Sequence, residues 1–307
     1  MGSEGFCRSI VVSLDGSPIS EQIFPYVTIL ARRCSAVVTL VHVVDDSAIN
    51  ELSAWQNLPS VKALVDRDME RAGTYLADFR GRLESAGIAT STEVILGSPA
   101  KAIVDLAQRT GADVIAMSTR GRGGLIRQVL GSVAEKVVRT AATPVLLYHP
   151  QGTSMPTAAI DHLLVPLDGS ALAEKVLPIV EQAATSLKVP VTLFRAIAGY
   201  TFSFPVPMPD GAAETSTQIL EAIAKDAVEY LSNQATALKA KGLEAVYRHA
   251  VGDPSEDLVK AADEVPASII VMSTHGRGGM ARAVLGSVAD KVMRSSGRPV
   301  LLVPSQA

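Results

Sequence analysis

Short apolar runs alternate with longer amphipathic stretches along the chain. Residues 9–14, 37–44, 92–96, 113–118 and 144–148 are rich in Val, Ile and Leu, and most are apolar almost without interruption. Unbroken runs of this length predict parallel strands covered on both faces; strict alternation would predict one wet face. Helical stretches fall between them, at about 20–33, 61–86, 100–110 and 133–141. Ser17-Pro18 and Ser98-Pro99 each read as an N-cap followed by proline at the first helical position. Gly87 and Gly111 stand where helices should stop. Ser132 with Glu135 fits a capping box, and Ser287 with Asp290 fits a weaker one. Strand and helix in alternation predict a doubly wound parallel α/β sheet.

The order then repeats, with strands expected at 163–167, 191–197, 244–251, 268–274 and 299–303. Asp15-Gly16-Ser17 returns as Asp168-Gly169-Ser170 at a shift of 153, and Gly97-Ser98-Pro99 returns as Gly252-Asp253-Pro254 at a shift of 155. Residues 117–147 and 272–302 share 21 identities in 31 positions. A fixed-period repeat of this size marks a duplication. It divides the chain into domains at 1–150 and 161–307, joined by a turn-rich linker at 151–160. Each half is expected to form its own five-stranded sheet. The loop at 199–211 contains Pro205, Pro207 and Pro209, which rule out a central strand and predict an extended flap; the equivalent loop in the first copy is 45–60.

Composition narrows the function. The chain has 307 residues, 48% apolar and 19% charged, enough for two packed cores. A net charge of −3 and 4% aromatics argue against a nucleic-acid groove, which needs a basic surface and stacking rings. No apolar run approaches the ~20 residues that span a bilayer, and the first ten residues lack the pattern of a signal peptide. Cys7 and Cys34 have Ile160 and Leu187 at the matching positions of the second copy. They read as reduced structural thiols of a cytoplasmic protein.

The chemistry concentrates in the stretch MSTRGRGGLIRQVLGS at 117–132, which recurs as MSTHGRGGMARAVLGS at 272–287. A strand enters a glycine-rich loop, and the loop ends at a helix start. Glycines admit close approach of a ligand, and a helix N-terminus offers N–H groups and a positive dipole end to phosphate. In open α/β sheets ligands bind beyond the carboxyl ends of the strands where the winding reverses, so Asp15 and Asp168 should face the same crevices as the two loops. The chain has no G-x-x-x-x-G-K-[ST] phosphate loop, and no G-x-G-x-x-G follows its first strand.

Gly121, nine residues and Gly131-Ser132, repeated as Gly276, nine residues and Gly286-Ser287, resemble the G-x-x-G-(nine)-G-[ST] signature of the universal stress protein family in its tandem form. Ser118 and Ser273 replace the first glycine of that signature. The resemblance covers nearly the whole chain. It implies a Rossmann-like fold of the adenine nucleotide alpha hydrolase type, with ATP bound at two sites and Mg²⁺ on the phosphates. By the same resemblance Ser13, Asp15, Pro166 and Asp168 lie beside adenine and ribose, and Val43 and Ala196 offer backbone groups to the base. Met117, Ser118, Arg120, Gly121, Arg122, Gly131, Ser132 and Val133 are expected to hold ribose and phosphates. In the second copy these are Met272, Ser273, His275, Gly276, Arg277, Gly286, Ser287 and Val288. The last strands of the two copies are expected to pair as an intrachain pseudo-dimer, and a homodimer of the whole chain is left open.

Plainer roles compete at each position. Asp15 suits a turn or a cap, and Gly123 and Gly124 suit a tight turn. Arg122, Arg127, Arg277 and Arg282 suit a solvated surface, and Trp55 suits packing. His42 is Arg195 in the second copy and is assigned no chemistry. Three functions remain: a regulatory nucleotide sensor with at most slow ATP hydrolysis, a weak ATPase or nucleotidyl-transfer enzyme, and an interaction module without nucleotide. Phosphoryl transfer needs an oriented nucleophile and metal carboxylates. No Glu, Gln or Asp recurs beside the loop to orient a water, so the first reading is favoured.

Overall fold

The structure is a computed structural model that describes residues 5–46, 59–119, 130–152, 154–198, 212–265, 268–274 and 285–304. The first copy contributes β1 (Ser9–Ser13), α1 (Phe24–Cys34), β2 (Val37–Val44), α2 (Pro59–Ser85), β3 (Thr90–Leu96), α3 (Pro99–Thr110), β4 (Val114–Ser118), α4 (Ser132–Thr140) and β5 (Val145–Tyr148). The second contributes β6 (His162–Pro166), α5 (Ala171–Glu174), α6 (Leu177–Leu187), β7 (Val191–Ala198), α7 (Ala212–Ala240), β8 (Ala245–Gly252), α8 (Pro254–Glu264), β9 (Ser268–Ser273), α9 (Ser287–Ser295) and β10 (Val300–Val303).

The strands join in one sheet of ten, ordered β3-β2-β1-β4-β5-β10-β9-β6-β7-β8. Within each copy all pairings are parallel. The copies meet where β10 runs antiparallel to β5, with Leu301 opposite Leu146. Each five-stranded copy thus completes its last edge with the other copy. The exposed row of unpaired backbone groups that an edge strand presents is removed.

Side-chain alternation sorts the apolar residues onto two faces. Ile10, Val12, Leu14, Val38 and Leu40 point to one face, against α1 and α2. Val11 and Val41 point to the other, against α3 and α4. The second copy does the same with α6 and α7 on the first face and α8 and α9 on the second. Both cores cross the β5–β10 seam. Helix α2 buries Ala72, Leu76, Phe79 and Leu83, a four-three-four spacing that keeps one stripe inward. It is followed by Gly87 at φ 78, as α7 is followed by Gly242 at φ 82.

Two local expectations fail. Ser17 does not open a helix directly: a 3-10 turn starts at Ser20, and Ser17 instead accepts a hydrogen bond on Oγ from the Ser20 N–H at 3.1 Å. Ser132 is the first residue of α4 and not its cap, and Ser287 stands the same way in α9. The caps are Gly131 and Gly286, which have no side chain to offer. The proline-rich stretch at 199–211, most of the loop at 45–60 and Trp55 lie outside the described residues.

Leu301 and Leu146 are almost fully buried at the seam. Leu301→Ala should cost about 2–5 kcal/mol, the usual loss for a truncated core leucine. Urea denaturation measures that loss. Hydrogen exchange should quicken in β1 and β4 as well as in β6 and β9, because the seam belongs to both copies.

Candidate functional site

The two crevices open where neighbouring strands part. The β1–β4 ladder ends at Val12 opposite Ala116, whereas β4 keeps pairing with β5 as far as Ser118 opposite Tyr148. In the second copy β6 leaves β9 after Leu164 opposite Ile270, whereas β9 follows β10 to Ser273 opposite Val303. Strand order reverses at these places, β2 lying on one side of β1 and β4 on the other. They are the topological switch points of doubly wound sheets. The antiparallel seam puts the two crevices at opposite ends of the sheet.

Asp15 sits two residues past β1, half-buried, and is fixed by its own turn. Its Oδ1 accepts from the Ser17 N–H at 2.9 Å and from the Ser17 hydroxyl at 2.6 Å, and its N–H donates to Ser20 Oγ at 3.2 Å. Asp168 Oδ1 accepts from the Ser170 N–H at 2.9 Å, and Ser170 Oγ then accepts from the Ala173 N–H at 3.2 Å. Gly16 at φ 79 and Gly169 at φ 81 make both turns possible in a region that disfavours other residues. The turn role weighed for Asp15 in the sequence is therefore real. It orients the carboxylate at the mouth of the crevice.

Ser13 and Pro166 close their strands and are half-buried. Val43 and Ala196 lie one step further along β2 and β7. The Val41 carbonyl accepts from the Leu14 N–H at 3.0 Å, and the Phe194 carbonyl from the Leu167 N–H at 2.8 Å. In a parallel strand, residues two apart direct their N–H and C=O groups to the same side. The Val43 and Ala196 backbone groups therefore face past the ends of β1 and β6, a donor and an acceptor side by side over each crevice.

The far wall is β4 and the start of α4. Met117 and Met272 are buried in the second-face core. The Ser118 hydroxyl donates to the Ser20 carbonyl at 3.2 Å, tying β4 to the turn that follows Asp15. Beyond it the Gly131 N–H donates to the Thr119 carbonyl at 2.7 Å, and the Gly286 N–H to the Thr274 carbonyl at 3.0 Å. These bonds bring the two ends of each glycine-rich loop together at a neck. Fully buried Thr119 is also held through Oγ1 to His149 Nδ1 at 2.6 Å. The loops themselves, with Arg120, Gly121, Arg122, Gly123, Gly124 and Arg127, and with His275, Gly276, Arg277 and Arg282, lie outside the described residues.

At the neck each helix starts on its glycine cap, with Ser132 and Val133, or Ser287 and Val288, in the first turn. Neither helix has a side-chain hydrogen bond at its cap. A Ser, Thr or Asp cap would supply an acceptor to these amides. A glycine leaves that task to water or an incoming anion, and the helix dipole favours the anion.

A second constellation was missed in the sequence. The Tyr75 hydroxyl donates to Glu21 at 3.1 Å, and the Tyr230 hydroxyl donates to Glu174 at 2.9 Å. Burial, then the neighbouring glutamate, pushes both phenols above their usual range, and the charge of Asp15 or Asp168 adds to the effect. The pairs recur at shifts of 155 and 153, so aligning the copies outside the glycine loop would have found them. His42 meets the Tyr75 ring at 6.0 Å, and Arg195 sits 5.3 Å from the Tyr230 ring while paired with Asp226 at 3.6 Å. A buried basic group thus stands over the same tyrosine in both copies. Among the described residues no group of three His, Cys, Asp or Glu side chains is placed to hold a metal ion, and no helix is long and apolar enough to cross a membrane.

Known proteins are similar to this chain in sequence and in fold. A universal stress protein of Methanocaldococcus jannaschii is 34% identical over 144 residues, 47% of this chain and 83% of that protein. One of Mycobacterium tuberculosis is 24% identical over 307 residues, covering 96% of each. The crystal structure of a universal stress protein from Archaeoglobus fulgidus superposes with a TM-score of 0.70 at 19% identity, covering 97% of this chain and 98% of that one. The sequence profile of the universal stress protein family matches residues 7–149 and again 159–304. With both halves matched, the chain belongs to the universal stress protein family.

Proposed function

We propose that each half binds one ATP at its switch-point crevice, with Mg²⁺ carried on the phosphates, and that the protein acts as a nucleotide-responsive regulator. The observation that carries the reading is the glycine-capped helix start facing an aspartate across the parted strands, present in both copies. The adenine edge meets the donor–acceptor pair of Val43 or Ala196. Asp15 or Asp168 takes the ribose hydroxyls. The phosphates extend over the neck toward Gly131-Ser132-Val133 or Gly286-Ser287-Val288. Arg120, Gly121 and Arg122, with His275, Gly276 and Arg277, complete the cradle in this reading.

The bound nucleotide shifts the balance between states that a protein partner distinguishes. Hydrolysis stays slow because Asp15 is bound into its own turn and the recurring Glu21 and Glu174 are engaged by tyrosine hydroxyls. These are poor arrangements for aligning an attacking water.

Nucleotide released from the purified protein by denaturation and identified by mass spectrometry should be an adenine nucleotide. Mg-ATP at about a hundred times Kd should stabilise the fold by about 2.7 kcal/mol for each site filled, read as a raised melting temperature. Gly121→Val together with Gly276→Val should abolish that shift, because side chains then fill the phosphate space. Retained micromolar affinity in the double variant would place the site elsewhere.

Asp15→Ala with Asp168→Ala should weaken binding by about 1.5–3 kcal/mol per site, the range for a hydrogen bond to a charged group. Equilibrium dialysis with labelled ATP measures it. Turnover should stay far below the ~1–100 per second of kinases; a rate inside that range would make the protein an enzyme.

A further inference from the structure

The first copy carries two thiols that the nucleotide reading does not use. Cys7 lies two residues before β1, and Cys34 is the last residue of α1. The parallel ladder of β1 and β2 brings their segments together. Ser9 pairs with Val37, and the Val37 N–H donates to the Arg8 carbonyl at 2.8 Å. Ser35, left-handed at φ 53, turns the chain out of α1 and back toward β1. Both side chains enter the first-face core, Cys7 fully buried and Cys34 partly exposed. Each thiol shifts the acidity of the other more than any other group does.

The second copy serves as an internal control. Its matching residues are Ile160 and Leu187, both buried in the same core. Aliphatic side chains satisfy the packing there, so packing alone does not call for sulfur. The two thiols in one core are the chemistry that the first copy adds.

We propose that Cys7 and Cys34 are a peroxide-responsive dithiol that closes to an intramolecular disulfide. Cys34 is the attacking group, because it is the one open to solvent. Its thiol is made more acidic first by Cys7 and further by the Arg33 charge, whereas Cys34 and burial push the Cys7 thiol up. The Cys34 thiolate attacks one oxygen of a hydroperoxide. The O–O bond breaks, Cys34 becomes a sulfenic acid, and the other oxygen leaves as hydroxide. The Cys7 sulfur then attacks the Cys34 sulfur. The S–S bond forms, the S–O bond breaks, and the hydroxyl leaves as water with the Cys7 proton. Two thiols are oxidised and one peroxide is reduced.

The bond closes where the leader of β1 and the end of α1 meet the second copy. The Phe6 N–H donates to Ser186 Oγ at 3.3 Å, and Arg33 holds the Ile160 carbonyl and pairs with Asp161 at 3.1 Å. Oxidation would tie the leader of β1 to the end of α1 where both grip the second half.

The test is a non-reducing peptide map of the full chain after hydrogen peroxide and alkylation. The expected result is a linked peptide pair holding Cys7 and Cys34, about 2 Da lighter than the sum of its thiol forms, with both free thiols lost and recovered by dithiothreitol. In Cys7→Ser, dimedone should trap a sulfenic acid at Cys34. In Cys34→Ser, Cys7 should stay reduced in the folded chain. The proposal fails if both cysteines remain alkylatable, if Cys34 advances to sulfinic acid while Cys7 stays a thiol, or if the only disulfides link separate chains. The wild-type map decides the matter even if either variant misfolds, and none of its outcomes depends on nucleotide binding.

Discussion

Strands that all run one way cannot fill both directions of a sheet without leaving a gap. The chain lays β2 and β3 on one side of β1, then crosses over to lay β4 and β5 on the other. The crossovers leave from the carboxyl ends, so those ends draw apart between β1 and β4. Every candidate residue described above owes its position to that parting. Asp15 hangs from one lip and the neck at Thr119 and Gly131 from the other, and Val43 looks across from the next strand. The second copy obeys the same constraint with Asp168, Thr274, Gly286 and Ala196.

The lips have little freedom. Asp15 is held by Ser17 and Ser20, Ser118 is held to the Ser20 carbonyl, and Thr119 is held to His149. The helix start is different: its glycine cap supplies no acceptor to the amides beside it. Rigid walls around a helix start without a side-chain cap are what the proposed phosphate binding requires. The copies are alike in this but differ behind it, where His42 in one and Arg195 in the other lie against a tyrosine. An imidazole stands behind the first crevice where a permanent guanidinium stands behind the second.

Much of the fold was legible in the residues. Val-, Ile- and Leu-rich runs located the inner strands, because a parallel strand buried on both faces leaves little room for polar residues, whereas the outer strands β3 and β8 mix in Thr, Glu, Arg and His where they are partly exposed. Helix starts were less legible. Ser132 and Glu135 had the letters of a capping box, yet Gly131 takes the cap, since the neck bond to Thr119 sets where the helix begins and local propensity does not. Ser17-Pro18 misled likewise, because Asp15 captures Ser17 in a turn first. The glycine motif and the paired aspartates pointed to the switch-point crevices, and Asp15, Asp168, Gly131 and Gly286 stand at their edges. The Tyr75–Glu21 and Tyr230–Glu174 pairs were not legible, because their members lie more than fifty residues apart and only the fold joins them. The meeting of Cys7 and Cys34 in one core was hidden in the same way.

The antiparallel meeting of β5 and β10 makes one sheet from two copies while sending their crevices to opposite ends. The account therefore requires two separate sites of one kind in each chain. Calorimetric titration with Mg-ATP tests this most directly. Two ATP per chain should bind, falling to one when Gly121 alone becomes valine. The absence of heat, or a single site that survives loss of both loop glycines, would contradict it.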